Sequence, residues 1–134
     1  MSLLTGSNFY FELAENWAPV WYQDTDSDDY DADYITNFNF DGNWNGTDNW
    51  ENQPGYTLNA NIYYWVVETE THWFIGYADF HPRDWKVMGH HENDMEACLL
   101  VVNRDGSTYG EIISMITIAH LDFYSYKNLS LIHI

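Results

Sequence analysis

The densest set of groups able to hold a cation or move a proton lies between His81 and Leu100, in the stretch HPRDWKVMGHHENDMEACLL. Asp94 and Glu96 stand two apart at the start of an apolar run, so on a strand their carboxylates share one face. His91 lies three residues before Asp94, at the mouth of a loop, and Asp84 closes the strand before it. Three carboxylates converging at a strand end repel one another and raise at least one carboxyl pKa. A divalent cation removes that conflict, so Asp84, His91, Asp94 and Glu96 are the expected metal ligands. An oxygen-rich set suits Ca²⁺ or Mg²⁺ first, while the imidazole admits Mn²⁺ or Zn²⁺. His90, His120 and Trp85 are further site candidates, two imidazoles beside the ion and one ring on which a sugar can stack.

Two other readings use the same residues. Arg83 or Lys86 could pair with Asp94 or Glu96 in an ion-pair network that only holds the strands together. Alternatively, the metal could activate water in a hydrolase, with His90 or His120 as acid or base. The leading expectation is non-enzymatic, with no catalytic residue assigned: the ion presents open coordination positions to a glycan or a lipid head group.

Strands must carry these groups. NIYYWVVE (Asn61–Glu68) is apolar on both parities, which suits a central strand covered on both faces. After the tight Thr69-Glu70 connection, Thr71–Phe80 reads as its hairpin partner. MEACLLVV and EIISMITIAH flank the turn NRDGS, where Gly106 can take a positive φ. A three-residue loop there pairs Asn103 with Ser107, sets Glu96 opposite Ser114 and brings His120 to the face of Asp94 and Glu96. A two-residue turn shifts the register by one and flips His120 away. Upstream, Asn8–Leu13, Pro19–Gln23 and Ile35–Phe40 read as further short strands, and no stretch of ten residues shows a sustained helical stripe. The expected fold is all-β, a single-domain antiparallel β-sandwich over residues 1–127.

Composition bounds the partners. The 134 residues fit one domain, and aromatics reach 19%, a load that favours pleated surfaces. With 21 acidic residues against four basic ones the net charge is −17, which repels nucleic-acid backbones and anionic lipid surfaces and attracts cations. No apolar run approaches the length of a membrane helix and no signal peptide is read, so compartment and oligomeric state stay open. The lone Cys98, flanked by apolar residues, is expected as a buried thiol. Asp24, Asp26 and Asp28 mimic the start of an EF-hand loop, but Asp29 and Ile35 stand where that loop needs Gly and Glu, so the EF-hand is rejected. Asn45-Gly46-Thr47 forms a glycosylation sequon that matters only in a protein secreted by a eukaryote. The final LSLIHI resembles translated sequencing adapter, so residues 128–134 are expected to be a non-native tail on a C-terminally truncated chain.

The stretch GHHENDMEACLLVV resembles the Gly-His-Arg-His-Asp-Trp-Glu heptapeptide of the necrosis- and ethylene-inducing peptide-like proteins, with His91, Asp94 and Glu96 at the matching positions. YADFHPRDW is similar to that family's Tyr-rich strand, whose closing Asp corresponds to Asp84. The likeness extends to the vacuolar protein sorting-associated 62 group through the Asp-x-Glu strand opening and through Ala18-Pro19-Val20. The resemblance implies a β-sandwich with a divalent metal at one end. In the cytolytic members it further implies recognition of sphingolipid head-group sugars by a secreted protein. Met95 stands where the heptapeptide has Trp.

Overall fold

The computed structural model describes residues 5–22, 33–85, 89–119 and 122–127. The acidic stretch from Asp24 to Asp31, Lys86, His120 and the 128–134 tail lie outside the described residues, and so do the expectations attached to them.

The chain opens with helix α1 (Thr5–Trp17), where a strand was expected over Asn8–Leu13. Its aromatics are strand formers, but their spacing is helical. Phe9, Tyr10, Leu13, Ala14 and Trp17 fall at i, i+1, i+4, i+5 and i+8, one stripe of a 3.6-residue repeat. Leu13 and Ala14 are buried while Phe11, Glu12 and Glu15 face solvent. The side chain of Asn8 also donates to Glu12 one turn on, at 2.6 Å. Burial of the stripe therefore overrides the local β-propensity of the aromatics.

Five strands follow: β1 (Tyr63–Glu68), β2 (His72–Asp84), β3 (His91–Asn103), β4 (Glu111–Ala119) and β5 (Asp122–Lys127). They form one open antiparallel sheet whose spatial order is the chain order. The sandwich expectation required a second sheet; among the described residues there is one. Pro19–Tyr22 and Ile35–Phe40 are not strands. In the second, Ile35 and Thr36 are buried side by side, which breaks the alternation, and Asn37 turns the chain by accepting the Asn39 N–H at 3.0 Å.

The described residues fall into two compact units. The first takes the described residues of Met1–Trp21, Tyr64–Tyr77 and Ala97–Ile134. Leu13 and Ala14 of α1, Trp73, Ile75 and Tyr77 of β2, Cys98, Leu100 and Val102 of β3, and Met115 of β4 are buried in it. The Tyr77 hydroxyl donates to the Ala14 carbonyl at 2.7 Å, and the Trp17 indole donates to the Tyr109 carbonyl at 2.8 Å, so both of these polar groups are paired. Burial, with the charge of Cys98, pushes the Tyr77 pKa far up, so its hydroxyl stays a donor. β1 is an edge strand, not the central one expected: Tyr64, Trp65 and Val67 are exposed. Its double apolar parity has another cause. Trp65 lies across Gly76 of β2 so closely that a Cβ there would sit 2.0 Å from the ring.

The β3–β4 register pairs Val101 with Ser114 and, after a bulge between Val101 and Val102, Asn103 with Glu111. The connection runs from Arg104 to Gly110, longer than either turn expected, and Ser114 does not face Glu96. Gly106 and Gly110 both take positive φ, at 94° and 72°. Gly106 was expected to do so; Gly110 supplies the second left-handed residue that extends the loop.

The second unit takes the described residues of Tyr22–Tyr63 and Ala78–Glu96. It holds the short helix α2 (Asn49–Asn52), the end of β2 and the start of β3. Ile35, Thr36, Ala78 and Phe80 are buried here; Phe38 packs on Phe80 with ring centroids 4.3 Å apart, and the Thr36 N–H donates to the Phe80 carbonyl at 2.9 Å.

Candidate functional site

The end of β2 and the start of β3 lie in the second unit and carry all four expected ligands. Asp84 and His91 meet: His91 Nε2 stands 3.2 Å from Asp84 Oδ2. The pair is half open, with the imidazole 44% exposed and the carboxylate 16%. Asp94 and Glu96 are half-buried on alternate positions of β3, where they share a face as the spacing required. The Glu96 backbone N–H donates to Asp79 Oδ1 at 3.1 Å, and the Asp94 charge acts on His81. Among the described residues, no three His, Cys, Asp or Glu side chains close on a common point.

Asp79 and His81 were absent from the expected site. Asp79 is 5% exposed, and its Oδ2 lies 3.7 Å from His81 Nε2. His81 Nδ1 contacts the Asp33 carbonyl at 2.8 Å; a carbonyl only accepts, so that nitrogen carries the proton. Burial opposes the charged imidazole. The Asp79 carboxylate beside it and the hydrogen bond to the Asp33 carbonyl, with the charge of Asp94, outweigh it and raise the His81 pKa above its ordinary value. Asp33 also ties down the strand end, accepting the Trp85 N–H at 2.5 Å. The signal for this pair was a carboxylate and a His two apart, Asp79 and His81, within an otherwise apolar strand.

Aromatic rings cluster at the chain neighbours of the Asp84–His91 pair. Trp85 follows Asp84 in the chain and His90 precedes His91; their rings stack with centroids 5.5 Å apart and planes 18° apart. Trp50 of α2 completes a trio, 5.7 Å from Trp85 and 5.1 Å from His90, and the Arg83 guanidinium lies 4.2 Å over its ring. Trp85 therefore offers its ring within a cluster rather than alone. Trp44, on the same turn-rich segment as Trp50, is 80% exposed.

That segment is fastened to β3 by Asn93, the one non-glycine residue with positive φ (61°) among those described. Its amide donates to the Gly46 carbonyl at 2.5 Å and accepts from Asn49 at 2.8 Å. Beside it, Glu92 accepts the Trp50 N–H at 2.5 Å. The segment itself, Asp41-x-Asn43-x-Asn45-Gly46 with Asn52 at the twelfth position, follows the opening signature of a calcium loop, a pattern sequence reasoning sought only around Asp24. Here side-chain amides stand where that loop directs carbonyl or carboxylate oxygens at an ion. Asp41 accepts from the Asn43 and Asn52 amides at 2.8 Å each and from the Asn43 N–H at 3.0 Å. Burial works against the Asp41 charge, but these hydrogen bonds prevail and hold its carboxyl below the usual range.

Comparison with protein-family models, curated proteins and solved structures finds no match to this chain.

Proposed function

We propose that the second unit seats a divalent cation at Asp84 and His91 and binds a polar ligand, a glycan or a lipid head group, through that ion. The observation carrying this reading is the 3.2 Å separation of His91 Nε2 and Asp84 Oδ2. Adjacent donors on an ion bonded at about 2.0–2.2 Å stand roughly 3.0–3.5 Å apart, so the two atoms already have the spacing of neighbouring ligands. The −17 charge favours a cation at any such point. A bound cation supplies positive charge and open coordination positions that attract hydroxyl or phosphate oxygens. The half-open imidazole leaves room for a ligand to approach, and the Trp50–Trp85–His90 cluster offers apolar ring surface against which a sugar can rest. The proposal is of a binding protein rather than an enzyme.

Calorimetric titration of the chelated protein with Mn²⁺, Ca²⁺, Mg²⁺ and Zn²⁺ tests the site directly. One ion per chain should bind, and binding should be lost in Asp84→Asn and in His91→Gln. No heat from any ion would assign the pair to an ordinary ion pair and end the proposal.

A further inference from the structure

The first unit holds a cavity of about 540 Å³ that the cation site does not explain. It lies among α1, the turn between β1 and β2, and the β3–β4 connection, lined by Phe9, Glu68, Trp73, Arg104, Ser107 and Thr108. A volume between about 300 and 1,000 Å³ is that of a small-molecule site.

Its walls are fixed before any ligand arrives. Glu68 Oε2 accepts the Tyr10 hydroxyl at 2.6 Å, and Glu68 Oε1 meets Arg104 Nη1 at 2.9 Å. The Tyr10 hydrogen bond, with the Trp73 indole and the Arg104 charge, outweighs the slight burial and holds the Glu68 carboxyl below its ordinary range. Arg104 lies 5.1 Å over the Trp73 ring, and its Nη1 also donates to the Thr69 carbonyl. Its N–H donates to Thr71 at 2.9 Å, joining the two loops that form the walls. Ser107 Oγ accepts the Gly110 N–H at 3.0 Å, which leaves its hydroxyl proton to donate elsewhere. Phe9 packs on Trp73 with centroids 5.6 Å apart.

These groups select the ligand by what each has already spent. The ring face of Trp73 that would attract a cation carries Arg104. The Arg104 charge is matched by Glu68, and Glu70 at the rim adds a further negative charge, so an anion gains nothing here. What remains is a set of acceptors and donors from Glu68, Ser107 and Thr108, with the Phe9 ring in the same lining. That combination suits a neutral polyhydroxylated ring, whose hydroxyls bridge carboxylate and hydroxyl groups while its C–H face rests on an aromatic.

We infer that this cavity is a cation-independent binding site for a neutral saccharide of one or two rings. A weak monosaccharide complex has a Kd on the order of 1 mM. The test uses two-dimensional amide and indole NMR on the full chain, titrated with methyl glycosides of glucose, galactose, mannose and N-acetylglucosamine in the presence of EDTA. At least one should give saturable shifts at Trp73 and at residues 104–108. The double variant Ser107→Ala/Thr108→Ala, at exposed positions, also loses the Ser107–Gly110 hydrogen bond and should lower the melting temperature by only about 4 °C while weakening that binding severalfold. Four results would overturn the inference: no saturable shifts with any glycoside; shifts unchanged in the double variant; a response only to a charged probe such as choline or inorganic phosphate; or a response seen only with a divalent cation present. The last would return the sugar to the Asp84–His91 site, so the two proposals fail separately.

Discussion

Asn93 carries the tightest coupling between the turn-rich segment and the strand that bears the candidate ligands, and its removal can be worked through in advance. Asn93→Gly keeps the left-handed backbone but deletes both amide contacts, to the Gly46 carbonyl and to the buried Asn49. A net hydrogen bond is worth about 1 kcal/mol, so the two together cost about 2 kcal/mol, and more if Asn49 finds no new partner. Asn93→Ala loses the same contacts and must also hold a Cβ residue at φ 61°, a further cost of about 1–2 kcal/mol. Alanine should therefore destabilise more than glycine, the reverse of the usual order in a strand. Urea unfolding followed by circular dichroism measures both; each kcal/mol corresponds to a melting shift on the order of 4 °C for a chain of this size. Equal stability of the two variants would refute the backbone argument. Stability of both within about 0.5 kcal/mol of the parent would refute the anchoring role altogether.

Other expectations follow from the same geometry. Gly76→Ala drives a methyl into the Trp65 ring and should destabilise strongly, whereas in a Trp65→Ala background the same change should cost far less. An equal penalty in both backgrounds would mean that the ring does not limit the site. The folded His81 pKa is raised above 6.5, so its contribution to stability is present below 6.5 and is lost as pH rises through the folded value. His81→Gln should remove that slope from unfolding measured from pH 6.5 upwards, and a persistent slope would assign it to another group. Asp41 is the opposite case. Its folded pKa lies below 3.8, so its contribution is present above 3.8 and disappears as pH falls through the depressed value. Asp41→Asn should flatten the acid limb of the stability profile, and an unchanged limb would count against the hydrogen-bond cradle described for it.

Much of the sheet was legible because β2, β3 and β4 are strongly apolar and punctuated by turns. The Thr69 connection and the β3–β4 hairpin stand close to where Gly, Asp and Thr residues suggested. The hairpin register was not legible, since it depends on a bulge at Val101/Val102 and on the second left-handed glycine, Gly110, neither of which alters the apolar pattern. Helix α1 was misread because Phe9, Tyr10 and Trp17 are strand formers by type, while their spacing, which the burial of Leu13 and Ala14 follows, is helical. β1 was misplaced because an apolar edge strand and a buried central one look alike when the edge residues cover a neighbouring glycine. At the candidate site the spacing located Asp84 beside His91 correctly. It could not foresee that the β3 backbone at Glu96 would bond Asp79 and that the Asp94 charge would act on His81, because both depend on how β2 and β3 pair.

The central claim is that Asp84 and His91 hold a cation, and thermal unfolding of the chelated protein with each divalent ion restored singly tests it most directly. At about 100 times its dissociation constant the proper ion should stabilise the folded chain by about 2.7 kcal/mol, a rise in midpoint on the order of 10 °C. That rise should vanish in Asp84→Asn/His91→Gln. Identical midpoints with every ion, or a rise that survives in the double variant, would contradict the account.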